Sequence, residues 1–214
     1  MRRSRIIRIK DYIIVTNFKC MFSSINKLDI CEKDPKISSK YKKIFLYRDI
    51  NKRTISCFLN WMISYPIEEN ILNYDNDCID NSKFGWLIYL LCKEKKFCLK
   101  NYLLLLREDN TIELFKLFLT YLPNIYTENG HTRDQYTIVE KKKINVDTFI
   151  NIDNKQEVKY LEKLINQKIV NCNKSEKDKK ELLLNFIKKN KKYDNIIKEI
   201  YKRDIVFLPI YHSL

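Results

Sequence analysis

The sequence predicts a mainly α protein: a compact bundle of about six helices, with minor β structure at the N-terminus and around 135–150. Three observations carry this. Apolar residues recur at helical spacing in several stretches. The segment 86–92, WLIYLLC, is apolar all round, as a central buried helix is. Only 2 Gly and 4 Pro interrupt the 214 residues. The expected division is a basic arm or strand over 1–24 followed by a single helical domain over 25–214.

In chain order, Arg2, Arg3, Arg5, Arg8 and Lys10 alternate with Ile6, Ile7 and Ile9, and Tyr12-Ile13-Ile14-Val15 follows. This reads as a first β-strand with a basic face, as a basic arm for nucleic acid, or as an import leader, since transit peptides are Arg-rich and poor in acids. Ile55, Phe58, Leu59, Met62 and Ile63 then share one face of a helix over 54–64 that Pro66 stops. Ser82 caps the apolar helix that follows, and Asn101 caps 102–107. Asn110 or Thr111 caps 112–122, which ends at Pro123. Asn129-Gly130 signals a turn. The β-prone Tyr136-Thr137-Ile138-Val139 and Ile144-Asn145-Val146 flank three lysines as a hairpin or exposed loop. Helical period returns at Val158, Leu161, Leu164, Ile165 and Ile169. Ser175 with Asp178 forms a capping box for one long helix whose inner face carries Leu183, Phe186, Ile187, Tyr193, Ile197 and Tyr201. The apolar Ile205-Val206-Phe207-Leu208 before Pro209 is an edge strand or a tail folded back on the core.

Composition weakens the arguments that rest on charge. Alanine is absent, and Ile, Lys, Asn, Tyr and Phe number 30, 32, 21, 14 and 11, half of the chain. These five have AT-rich codons, so the gene reads as one from an AT-rich genome, and part of the net charge of +14 is mutational drift. No apolar run approaches the roughly 20 residues that a membrane-spanning helix needs.

Seven cysteines, Cys20, Cys31, Cys57, Cys78, Cys92, Cys98 and Cys172, are odd in number and include no C-x-x-C, which points to reduced thiols rather than a disulfide framework. With His131 and His212 the only histidines, no zinc spacing arises. Two glycines, Gly85 and Gly130, cannot build a phosphate loop. Asp75, Asp77 and Asp80 lack the glycine and distal glutamate of a calcium loop, and Glu68-Glu69 is a solvated pair. A Cys92 or Cys98 pairing with His131 has no local support. The expectation is therefore a non-enzyme with no cofactor and no metal.

Basic clusters remain. They are Arg2, Arg3, Arg5, Arg8 and Lys10; Lys93, Lys95, Lys96 and Lys100; Lys141, Lys142 and Lys143; and, toward the C-terminus, Lys188 and Lys192 with Lys202 and Arg203. Cations presented together neutralise phosphates and release counterions, so the expected role is docking on structured RNA as a ribosome-associated factor or ribonucleoprotein component. The alternative is a helical protein–protein adaptor of a parasite or large DNA virus, receiving its partner at the 54–64 helix. No membrane partner is expected, and the expected compartment is the cytoplasm, with mitochondrial import the alternative.

Overall fold

The computed structural model describes residues 5–17, 20–30, 32–59, 99–127, 132–170 and 177–209. The chain forms two compact units. The first is assembled from Met1–Arg53, Arg133–Lys174 and Tyr201–Leu214, and the second from Thr54–Thr132 and Ser175–Ile200.

Unit 1 is built on a mixed sheet of five strands: β1 (Ile6–Ile9), β2 (Tyr12–Val15), β3 (Glu32–Lys33), β4 (Lys42–Tyr47) and β5 (Thr148–Asn151), in the order β3-β1-β2-β4-β5. β1 and β2 form an antiparallel hairpin in which Ile7 faces Ile14, and Lys10 turns the corner at φ 52°. β2, β4 and β5 are parallel, with Ile14 opposite Ile44 and Leu46 opposite Ile150.

Because side chains alternate along a strand, the isoleucine-rich strands bury both faces. Ile7, Ile9, Ile14, Ile44, Leu46 and Ile150 pack with Ile25 of α1 (Phe22–Ile25) and with Leu161 and Ile165 of α6 (Lys155–Ile165). On the other face Ile6, Ile13, Val15, Phe45 and Tyr47 pack with Ile138 and Val139 of α5 (Thr137–Lys141) and with Leu208, which follows α9 (Lys202–Phe207). Unit 1 is a three-layer α/β sandwich.

Unit 2 is helical in its described residues. Within α2 (Ile50–Phe58) the chain passes into unit 2 at Thr54; α3 (Leu99–Arg107), α4 (Thr111–Ile125), α7 (Lys177–Lys189) and α8 (Lys191–Ile200) complete it. Phe58 meets Phe115 at 5.0 Å and Phe118 at 5.6 Å between ring centroids, and Phe115 meets Phe186 edge-on. Asn110 caps α4, its side-chain oxygen accepting from the Glu113 amide.

The expected compact six-helix bundle is therefore wrong. The fold is mixed, and a sheet organises half of it. The cause lies in parallel strands. Lys42–Tyr47 is buried except at its first residue, and its Ile44-Phe45-Leu46-Tyr47 reads as a continuous apolar run with no period of two, which periodicity does not separate from a helix. Four further expectations fail on local detail. Tyr136–Val139 lies in and beside α5 rather than in a hairpin, and the strand of that region comes later, as β5. The long C-terminal helix is three helices, broken at Asn190 and Tyr201. Residues 205–207 are helical, not an edge strand, although Leu208 does fold back onto the core. Pro123 sits inside α4 and Asn101 inside α3, so neither bounds its helix. The helix over 86–92, the second half of 54–64, Pro66, Ser82 and Ser175 lie outside the described residues.

Candidate nucleic-acid interface

Two regions of unit 1 gather polar side chains. The first lies at the carboxyl ends of the parallel strands, the place where open α/β sheets commonly hold ligands. There Gln135, fully buried, receives the Arg48 amide on Oε1 at 2.7 Å and the Cys20 thiol on the same atom at 2.9 Å. Its Nε2 donates to the Arg48 carbonyl at 2.8 Å and to Asp204 Oδ2 at 3.2 Å. Asp204 also accepts the backbone amides of Gln135 and Tyr136, each at 3.0 Å. Arg48 Nε is 3.0 Å from Asp153 Oδ1. Arg53, buried, donates from Nη2 to the Arg133 carbonyl at 2.6 Å and lies over the Tyr201 ring.

These groups serve one another. Burial pushes the Cys20 thiol up to about 12, against the lowering effect of Arg53 and Arg48, so it is not a nucleophile at neutral pH. Burial also raises Asp204. It raises Asp134 to about 6, with the like charge of Asp204 adding to it. Arg53, Arg133 and Tyr201 are the residues at which the chain leaves or re-enters unit 1. The network fastens three separate chain segments together. Sequence reading missed it because Gln135 and Asp204 are 69 residues apart and neither belongs to a motif.

The second region is the outer face of α6. Asn154 caps the helix by accepting from the Gln156 amide, and Asn166 ends it in the left-handed conformation at φ 53°. Leu161 and Ile165 point into the sheet, which turns Lys155, Lys159 and Lys163 outward at i, i+4 and i+8. All three are exposed, and Lys168 beyond the helix is exposed too. The helix carries two carboxylates, and both are engaged in backbone contacts. Glu157 accepts from the Asn151 amide at 2.6 Å and from Asn154 Nδ2, and Glu162 accepts from the Ile169 amide at 2.7 Å. Among the described residues none of the three lysines makes an ion pair. Three like charges at this spacing cost the helix a few tenths of a kcal/mol per pair, and Lys155 in the first turn opposes the helix dipole. The face is cationic over about 12 Å, eight residues at 1.5 Å each.

The clusters expected from sequence fare unevenly. Arg2, Arg3, Lys93, Lys95 and Lys96 lie outside the described residues, and of Lys100 only its place in α3 is described. Arg8 is not free for phosphate: Nε lies 3.1 Å from Glu32 Oε2, and Nη1 donates to the Tyr41 hydroxyl. Arg5 is half-buried, and burial lowers its pKa. Lys10 is exposed in the hairpin turn. Lys141, Lys142 and Lys143 are exposed at the end of α5, and the Arg203–Glu140 ion pair brings Lys202 and Arg203 to the same side. Arg203 is thereby engaged, with Asp134 also 3.9 Å away. That group lies on the α5 face of the sheet and α6 on the opposite face, so within unit 1 the clusters do not merge. Lys188 and Lys192 are exposed in unit 2, Lys192 lying over the Tyr193 ring.

Among the described residues the remaining candidates give no rival site. Ile55, Phe58 and Leu59 of the 54–64 segment are buried, while Met62 and Ile63 lie outside the described residues. His131, Asp75, Asp77, Asp80, Cys92 and Cys98 lie outside them as well. Among the described residues no group of histidine, cysteine or acid side chains is placed to hold a metal, and no helix is long and apolar enough to cross a membrane. Comparison with family models, curated proteins and solved structures finds no match.

Proposed function

We propose that this protein is a non-enzymatic RNA-docking protein, a ribosome- or ribonucleoprotein-associated factor, and that the outer face of α6 is its principal contact. The observation that carries the reading is the lysine register of that helix. Lys155, Lys159 and Lys163 stand together in solvent while Glu157 and Glu162 are held in contacts with backbone and cap. Three phosphates bound there release their counterions, which makes affinity salt-dependent. Lys141, Lys142 and Lys143, on the other side of the sheet, offer a second, separate contact to a large particle.

The test is a titration of fluorescently labelled single-stranded RNA at several salt concentrations, with wild type and with the triple variant Lys155→Gln, Lys159→Gln, Lys163→Gln. Each single-stranded phosphate contact contributes about 0.7 to the slope of log affinity against log salt, so the triple variant is expected to flatten it by about 2. A slope identical in the two proteins refutes α6 as the contact. Wild-type affinity that does not respond to salt refutes RNA docking itself.

A further inference from the structure

We infer that Tyr160 makes the α6 face a surface for an unpaired RNA strand, its ring stacking on an exposed base while Lys159 and Lys163 hold the neighbouring phosphates. This rests on the RNA-docking reading above and names the form of RNA it takes. Tyr160 is 49% exposed, on a helix whose other large apolar residues turn toward the sheet. It sits three residues before Lys163, a facing neighbour on the helix, and about 100° around the helix from Lys159, so it flanks the lysine face on one side.

Its exposure differs in kind from that of Phe207, the other large exposed aromatic among the described residues. Phe207, 41% exposed, is already stacked on Tyr136 with centroids 4.3 Å apart and planes 10° from parallel. Tyr160 has no ring or cation partner among the described residues. Both acids of the helix are held by other groups: Glu162, two residues on, accepts from the Ile169 amide, and Glu157, three residues back, accepts from the Asn151 amide and from Asn154. Gln156, one turn before Tyr160, is exposed and adds an amide that can donate to or accept from a base edge.

Lysines alone would bind any phosphate chain, duplex or not. A free aromatic face adds something that only an unstacked base can use, because the bases of a duplex already cover each other's faces. The combination selects single strands.

The experiment compares labelled oligouridylate, which stacks poorly on itself, with a blunt RNA hairpin duplex on the full chain. Tyr160→Leu keeps a helix-favouring apolar side chain without the π face, and Tyr160→Phe keeps the ring. The expected result is that Tyr160→Leu weakens oligouridylate binding about tenfold, equivalent to about 1.4 kcal/mol. Tyr160→Phe should stay within about twofold of wild type, duplex binding should change by less than about twofold in either variant, and the salt slope should be unaltered. Unchanged oligouridylate binding in Tyr160→Leu overturns the stacking inference while leaving RNA docking in place. Equal losses for single strand and duplex overturn it too, since that pattern reports a disturbed helix. If wild type binds neither RNA at low salt, the docking reading falls and this inference with it.

Discussion

Replacing Asp134 by Asn should stabilise the protein at neutral pH and destabilise it by about 1–2 kcal/mol in acid, where only the cost of the amide remains. The Asp134 carboxyl is buried beside Asp204, and its pKa rises from 3.8 to about 6. Burial is the main cause, Asp204 and Glu140 add to it, and Arg203 and Arg53 oppose it without prevailing. A group whose folded pKa is raised binds its proton more tightly when folded. Below pH 3.8 both folded and unfolded forms are protonated and there is no ionisation penalty. The penalty builds between about pH 4 and pH 6 and is complete above that. At 1.36 kcal/mol per pH unit, the rise corresponds to about 3 kcal/mol. Asparagine returns part of this gain. Oδ1 has no hydrogen-bond partner, and an amide placed there keeps its own desolvation cost of about 1–2 kcal/mol. The net expectation is a variant about 1–2 kcal/mol more stable at pH 7.5, by the difference of those two figures. Urea unfolding followed by far-UV circular dichroism at closely spaced pH values measures it. If the variant is less stable at pH 7.5, or if the difference is flat from pH 4 to pH 7.5, then Arg203 and Arg53 hold Asp134 ionised and the argument from burial is wrong.

Two further outcomes follow from the same buried network. Arg53→Met should cost about 3–5 kcal/mol, because it removes a cation facing Asp204 and Asp134 and leaves those charges buried without it. Combining it with Asp134→Asn should recover part of that loss in a double-mutant cycle, and strict additivity would show that the two residues do not interact. Cys20 should resist iodoacetamide in the native protein at pH 8. With the thiol pushed up to about 12, only about one molecule in ten thousand carries a thiolate. Peptide mass spectrometry should find Cys20 modified in urea but not in buffer, and equal labelling rates in the two would show that it is accessible.

How much of this was legible beforehand varies with the physics of each element. The α4 cap at Asn110 was readable because a cap is a local interaction three residues long. The inward face of α6, Leu161 and Ile165, followed from the 3.6-residue period. The parallel sheet was not readable, since its pairings join Ile14 to Ile44 and Phe45 to Phe149 across intervening helices. Nor did charge counting find the α6 lysines. Lys155 and Lys159 close a stretch, 109–160, of nearly balanced charge that also holds Glu157, with Glu162 just beyond it. Only the structure shows those acids turned to backbone amides. The one available signal was the spacing of Lys155, Lys159 and Lys163, which a search for runs of adjacent lysines passes over. The basic face of the first strand shows a different limit at Arg8. Their alternation with isoleucine marked a strand, and the same strand brings Arg8 to Glu32.

The discontinuity of unit 1 has a consequence for how the chain is made. Its first two strands leave the ribosome early, yet Asp204, which receives the Gln135 and Tyr136 amides, is translated roughly 150 residues after Arg53. At about 5–20 residues per second that interval is about 8–30 s. For about the first two-thirds of it the hairpin Ile6–Val15 and the strand Lys42–Tyr47 wait without β5 or α6, and for nearly all of it without α9, to cover them. Unit 2, whose larger segment is an uninterrupted stretch of chain, has no such wait before its first helices can pair. For this protein the nascent strands are the aggregation hazard, and a chaperone acting before residue 150 is synthesised would have the most to protect.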